Sequence, residues 1–429
     1  MEEVVAVSYA RTAIGNFGGT LKDFSAAKLG SIVVNEVLKR AGLRPEVGRY
    51  HKDFGPSLLK NDLDRDAEKL YKNWDSSLRP VFIDEVIMGN VIQAGQGQNI
   101  SRQSAIYADI PDSTPAYTVN KVCGSGLKSI ILAAQSIMLG NADIVIAGGT
   151  ESMSNTPYIL PKARWGYRMD INAKGDLIDS MVYDGLWEIF NDYHMGITAE
   201  SIAQKYKISR DEQDEIAYLS NQRAMQAIKD GLFEDEILAV EIVQKKAPSI
   251  FFKVDEKPRE TTRQYLSSLK PVFKKDGTVT AGNSSGISDG AAALLLMSGS
   301  KANELGLKPM ARIIGWSIIG LNPEFMGLGP APAIKKLLKE TNNSINDIDV
   351  IEINEAFASQ AVACLKELNI TYSMINPHGS GISLGHPIGC TGARIAVSLI
   401  NDMNKRDLKL GLQALCIGGG MGIAAIWKR

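Results

Sequence analysis

Two of the chain's four cysteines and one of its four histidines sit in sequence settings where chemistry is easily arranged. Cys123 lies in "VNKVCGSGLKSI", between a β-branched strand-like run and a helix-like run, with Gly124 and Gly126 close by. A thiol at a helix N-terminus meets the positive end of the helix dipole, which favours thiolate and suits a covalent nucleophile. The pattern therefore predicts a sharp, glycine-assisted turn and a lowered Cys123 pKa. His386, between Gly385 and Pro387 in "GISLGHPIGCTG", is held in a loop by rigid backbone. An imidazole can take a thiol proton near neutral pH and return it, so His386 is the natural base for Cys123.

Cys416 closes an apolar run in "LCIGGGMGIAAIW", where glycines follow at Gly418, Gly419, Gly420 and Gly422. Such a cluster could cradle a phosphate if a helix came next. "MGIAAIW" has the pattern of a strand, so the bare backbone is expected to let a ligand approach its N–H groups. Asn354 ends the strand-like run of "VIEINEAFA", at the sheet edge where ligands gather in α/β folds, and its amide could hold a water or donate to an oxyanion. "TAGNSSGISDGAA" offers Ser285 and bare backbone that could line a ligand. Cys390 fits a small helix-start residue. Cys123, His386 and Cys416 are zinc-type ligands, but the short spacings of structural zinc sites are missing and no metal is expected.

The elements that must position these residues come in two similar halves. The first opens with "EEVVAVSYA", a helix patterned by Leu29, Ile32, Val33, Val37 and Leu38, and the strand "FIDEVIMGNV". The second opens with "MARIIGWSII", a helix at "APAIKKLLKET" and the strand "DIDVIEINEAF". Each half continues through a strand, turn and helix to a buried strand ending in glycines, "ADIVIAGGTES" and "LQALCIGGGMG", which places Cys416 opposite Ala147. Alternating strands and helices imply an α/β fold with sheets covered on both faces. The halves are expected at 1–307 and 308–429. A lobe inserted at about 150–275 carries the helical "AESIAQKYKISRDEQDEIAYLSNQRAMQAIKDG". An unusual charged insertion at about 44–80 would place Leu59, Leu63, Leu70 and Trp74 on one helix face.

Composition narrows the partners. Lys plus Arg (47) and Asp plus Glu (48) nearly cancel, so no global field favours nucleic acid or a membrane surface, and small molecules or copies of the chain are expected instead. Four cysteines without C-x-x-C spacing suit free thiols in a reducing, cytoplasmic compartment. "MEEVVAVSYARTAIG" is the wrong opening for a targeting peptide, and no apolar run reaches the ~20 residues of a membrane span.

Taken in order, "NKVCGSGLK", "GGTESMS", "YHMGITAE", "TAGNSSGISDGAA", "INEAFA", "GISLGHPIGCTG" and "CIGGGMG" resemble the thiolase family, and closely its biosynthetic acetyl-CoA acetyltransferases. Only the 44–80 segment falls outside the likeness. The resemblance implies a duplicated, five-layered α/β/α/β/α thiolase fold with an inserted loop domain, and a homo-oligomer, expected as a tetramer built from two dimers. It implies condensation of two acetyl-CoA to acetoacetyl-CoA plus CoA, and the reverse thiolysis, with no cofactor beyond the CoA of substrate and product. By position Cys123 is similar to the acylated nucleophile, His386 to the residue that activates it, and Cys416 to the acid and base for the α-proton. Asn354, through a water, and His386 resemble one oxyanion site, and the N–H groups of Cys123 and Gly418 the other. His194, Ser285 and Arg259 resemble contacts to the CoA body, and Met195, Met326 and Phe357 the walls of a small acyl pocket. The alternatives weighed are a 3-ketoacyl-CoA thiolase of broader chain length, a ketoacyl synthase or hydroxymethylglutaryl-CoA synthase relative, against which Cys416 argues, and an inactive scaffolding subunit. Ser380 and Ser383 stand where relatives often have glycine and alanine.

Overall fold

The computed structural model describes residues 2–47, 74–169 and 175–429. In chain order its main elements are β1 (Val4–Thr12), α1 (Ala26–Arg40), β2 (Glu85–Gly89), α2 (Ile100–Tyr107), β3 (Ala116–Val119), α3 (Ser125–Met138) and β4 (Ile144–Ser152). Then come α4 (Met195–Lys205), α5 (Arg210–Lys229), β5 (Ser288–Ser298), β6 (Ala311–Gly320), α6 (Pro330–Glu340), β7 (Val350–Ile353), α7 (Ala358–Leu368), α8 (Thr391–Lys405), β8 (Leu410–Ile417) and β9 (Met421–Lys428).

The repeat seen in sequence becomes a repeat of strand order. The first half runs β3-β2-β4-β5-β1 and the second β7-β8-β9-β6, with Ile375 bridged in parallel to Ile351 at the outer side of β7, where the first half has β3. Directions match too: β5 is antiparallel to β4 and β1, as β9 is to β8 and β6, while β4–β2 and β8–β7 are parallel. The halves join edge to edge through Val5–Arg312 and Ala6–Ala311.

Period-two alternation in the strands and 3.6-residue periodicity in the helices then set the layers. Between the sheets α3 and α8 pack Leu127, Ile130 and Ile131 against Ala393, Ala396 and Ile400. Outside the first sheet α1 buries Leu29, Val33 and Val37 on Val5, Ile146 and Leu295, with Ala105 of α2 in the same cluster. Outside the second, α6 and α7 bury Ile334, Leu337 and Ala361 on Ile353, Leu412 and Ile426. The result is a five-layered α/β/α/β/α core, in which each fully buried Leu or Ile contributes about 1.5–3 kcal/mol.

The same alternation corrects one correspondence. Ala147 faces the middle layer with Val145, as Leu415 and Ile417 do, whereas Cys416 points to the other face, where Met195, Met326 and Phe357 lie. A one-residue slip in comparing two strands reverses every side chain. Cys416 is therefore not the counterpart of Ala147.

The helical stretch expected over 199–231 is two helices, α4 and α5, the first of which starts earlier, at Met195. α5 starts with a capping box in which the Ser209 hydroxyl accepts from Glu212 N and the Glu212 carboxylate from Ser209 N, and Gly231, at φ 68°, follows its end. No helix among the described residues is long and apolar enough to cross a membrane. Of the helix face expected in the charged segment, Leu59, Leu63 and Leu70 lie outside the described residues. Trp74 is buried, and its indole N–H donates to Asp109 O at 3.1 Å.

Candidate active site

Cys123 occupies the turn from β3 into α3. The conformationally demanding position there is Val122, a β-branched residue at φ 45°, in a region that costs such a side chain about 1–2 kcal/mol. Three local bonds hold it: Val122 N to Asn120 Oδ1 (3.0 Å), Ser125 Oγ to Val122 O (2.6 Å) and Lys121 N to Ser125 Oγ (2.8 Å). Gly124 has ordinary backbone at φ −84°, so the turn is not glycine-driven as the sequence suggested. The two glycines allow close packing instead. A Cβ on Gly124 would lie 2.5 Å from Ile417 Cδ1, and one on Gly126 2.7 Å from Ala393 N.

The expected lowering of the Cys123 pKa is also corrected. Burial pushes the thiol up to about 11, while the N–H groups of Gly418 and of Cys123 itself pull the other way by hydrogen bonding to the sulfur, and the Glu151 carboxyl adds to the rise. Desolvation of the thiolate outweighs the nearby helix end. The same two N–H groups converge on the Cys123 sulfur.

His386 is buried in the loop between the short helix Gly381–Leu384 and α8, and its ring state can be worked out from its neighbours. Its Nδ1 lies 2.6 Å from Thr391 Oγ1, whose hydroxyl donates to Pro387 O at 2.9 Å. With its one proton so used, Thr391 can only accept from the ring, so Nδ1 carries the hydrogen and Nε2 the lone pair. Burial, with the Arg394 charge adding, pulls the His386 pKa down to about 3. The imidazole is neutral at rest. Asn354, just beyond β7, places its Nδ2 3.4 Å from His386 Nε2, and its Oδ1 is buried without a hydrogen-bond partner among the described residues.

Cys416, fully buried near the end of β8, has its thiol pKa raised well above the ordinary value, first by burial and then by Cys123 and Cys364. Gly418 to Gly420 form the hairpin between the paired residues Ile417 and Met421, with Gly419 and Gly420 at φ 80° and 79°. Those two glycines serve the turn. At Gly418 a Cβ would lie 2.8 Å from Met195 Cε and 3.3 Å from Val122 Cγ1.

A cavity of about 580 Å³ brings these groups together. Its wall includes Cys123, His386, Cys416 and Gly418, together with His194, Met195, Ser285, Met326 and Phe357. The His194 ring stacks on Phe273 at 4.6 Å and accepts from Gly196 N at 3.0 Å, and Phe273 meets Phe357 edge-on. A Cβ on Gly196 would collide with Phe273 at 2.2 Å, which accounts for the glycine of "HMG". Ser285 N donates to Ala356 O at 2.9 Å. Cys390 is the buried N-cap residue of α8.

Arg259 is placed elsewhere, its guanidinium 5.8 Å from the Tyr265 ring in a separate groove beside α5. Lys257, two residues earlier, lines the cavity instead. Sequence reasoning missed it, along with Phe273, Thr391 and Val122. Thr391 was within reach, since a hydroxyl five residues after a candidate base is a natural orienter; the others depend on long-range packing. Among the described residues no group of three or more His, Cys, Asp or Glu side chains could hold a metal ion.

Comparison with known proteins places this site in context. Residues 4–49 and 68–300 match the model of the thiolase N-terminal domain, and 307–429 that of the thiolase C-terminal domain. An acetyl-CoA acetyltransferase of Syntrophomonas wolfei subsp. wolfei is 50% identical over 426 residues, covering 99% of this chain and 98% of the relative. One of Cupriavidus necator is 47% identical over 430 residues and covers 100% of both chains, so it aligns across the 44–80 segment as well. The crystal structure of the Bacillus anthracis acetyl-CoA acetyltransferase matches with a TM-score of 0.88 at 41% identity, over 100% of this chain and 99% of the other.

Proposed function

The chain belongs to the thiolase family, and on that premise we propose that it is an acetyl-CoA C-acetyltransferase, joining two acetyl-CoA into acetoacetyl-CoA and free CoA and running the reverse thiolysis. The observation that carries the proposal is the convergence of two thiols and a neutral, Nδ1-protonated histidine on one apolar cavity. One thiol can store an acetyl group while the other handles a proton. One sulfur could not do both at once, because an acetylated cysteine is no longer a base.

In this scheme His386 Nε2 takes the Cys123 proton as the sulfur attacks the acetyl thioester, and the same proton is returned to the leaving CoA sulfur. With the thiol raised to about 11 and the imidazole lowered to about 3, the ion pair does not accumulate at rest, and proton transfer accompanies attack. The N–H groups of Cys123 and Gly418 stabilise the tetrahedral oxyanion. Cys416 then passes its thiol proton to His386 Nε2 and, as thiolate, removes the α-proton of the second acetyl-CoA. Its enolate oxygen accepts from the His386 Nε2–H so formed and from a water on Asn354, whose free buried Oδ1 supplies an acceptor for that water. The carbanion attacks acetyl-Cys123, the C–S bond to Cys123 breaks, and His386 gives its Nε2 proton to the departing sulfur, leaving acetoacetyl-CoA, the Cys123 thiol and the Cys416 thiol.

Met195, Met326 and Phe357 close the acyl end and favour a two-carbon group. Ser285 and the His194–Phe273 stack flank the pantetheine path. The assembly we infer is a homotetramer of two dimers, supported by exposed apolar side chains on one segment, Tyr158, Leu160, Trp165 and Met169, which a subunit contact would cover. A reducing cytoplasmic location suits its four free thiols.

Intact mass spectrometry after acetyl-CoA addition tests the scheme. One acetyl group is expected on Cys123 and none in Cys123→Ser; an unmodified wild-type chain would contradict it.

A further inference from the structure

Lys257 reaches the cavity from a firmly anchored loop. Asp255 makes a two-pronged ion pair with the buried Arg11 at 2.8 and 3.0 Å, and the Glu256 carboxylate accepts from Asn16 N at 2.8 Å. From that base the Lys257 ammonium donates to Ile382 O at 2.5 Å, in the short helix that leads into His386. Its stem lies on Gly286, where a Cβ would come 2.3 Å from Lys257 Cε, and Gly286 O accepts the His386 N–H at 3.1 Å. One side chain thus contacts both stretches of backbone that aim the imidazole. Bonds from an ammonium to a carbonyl are stronger than neutral ones. Burial lowers the Lys257 pKa to about 8, with Arg259 adding to the fall and Glu355 opposing it, so the cation is kept at neutral pH.

We propose that Lys257 is a positioning residue for the acyl-transfer step: its ammonium fixes the Gly381–Gly385 turn and so holds the His386 ring in register with the Cys123 thiol. The assignment rests on the roles given above to Cys123 and His386. Lys257 takes no part in bond making and acts through the backbone it braces. Its effect therefore belongs in the rate of Cys123 acylation and not in the affinity for acetyl-CoA.

Rapid-quench mass spectrometry of Cys123 acetylation tests this with Lys257→Met, which keeps the stem and removes the charge. The expected result is acylation slower by about tenfold at saturating acetyl-CoA, with KM changed by less than about twofold and the melting temperature unchanged. Lys257→Ala should lose the same rate and regain part of it on addition of n-propylammonium, but not of 1-propanol. Acylation of Lys257→Met at the wild-type rate overturns the proposal. So does a loss confined to KM, which would make Lys257 a CoA contact, or a loss that comes with a lowered melting temperature and no rescue. If the wild type itself leaves Cys123 unacetylated, the site roles fail, and that outcome is distinct from any failure of Lys257.

Discussion

Replacing Thr391 by valine should slow acylation of Cys123 without disturbing the fold. In the wild type Thr391 Oγ1 accepts the His386 Nδ1 hydrogen at 2.6 Å, and its own proton goes to Pro387 O. Valine matches the shape of threonine and removes the hydroxyl. Pro387 O stays satisfied, because it also accepts from Cys390 N and Thr391 N, each at 2.9 Å. His386 Nδ1–H, fully buried, would have no acceptor. Leaving such a donor unpaired costs about 1–3 kcal/mol. The ring can escape by moving its proton to Nε2, which abolishes the lone pair facing the site. Either response raises the barrier to taking the Cys123 proton, and about 1.4 kcal/mol corresponds to tenfold. A decrease of roughly tenfold to a hundredfold in the acylation rate is expected, measured by rapid-quench mass spectrometry, with Thr391→Ser close to wild type. A Thr391→Val enzyme that acylates at the wild-type rate with an unchanged melting temperature would refute the tautomer assignment and the role built on it.

Two further outcomes follow from the same structure. The His386 pKa is lowered to about 3 in the folded chain from an ordinary 6.5; the unfolded chain therefore binds a proton below pH 6.5 that the folded chain refuses until about pH 3. Its contribution is complete above pH 6.5 and is lost as pH falls through that window, by roughly 4–5 kcal/mol in all. Chemical denaturation from pH 7 to pH 4 should show a flatter decline in His386→Gln than in wild type, and parallel curves would contradict the burial of a neutral ring. Gly126→Ala should destabilise the chain by about 1–3 kcal/mol, because the new Cβ meets Ala393 N, backbone that cannot turn aside as a side-chain end can; an unchanged melting temperature would show that α3 and α8 separate freely.

Much of this was legible in the sequence because it is local. The strand and helix patterns of the two halves gave the order of elements, and Cys123, His386 and Cys416 stood out through their glycine and proline neighbours. What escaped depends on the assembled interior. Cys123 carries a dipole-favoured position in the sequence, yet its pKa rises, since the sulfur is desolvated in a cluster with Ile92, Met153, Met181 and Ile388 from distant segments. Val122 bears the strained turn although valine is poorly suited to positive φ; three hydrogen bonds impose it. Cys416 and Ala147 occupy similar places in two similar runs, but a one-residue offset puts them on opposite faces. Lys257 matters through Ile382 and Gly286, which lie 125 residues on and in a separate loop, so nothing in "DEKPRETT" distinguishes it from Arg259.

The division of labour between the two thiols is the centre of the account, and the Cys416→Ala variant tests it in a single experiment. The variant, given acetyl-CoA in deuterated water, should carry one acetyl group on Cys123 while the methyl hydrogens of free acetyl-CoA remain unexchanged, where the wild type exchanges them. Exchange at the wild-type rate in Cys416→Ala, or a variant that cannot be acetylated at Cys123, would contradict the assignment of the α-proton to Cys416.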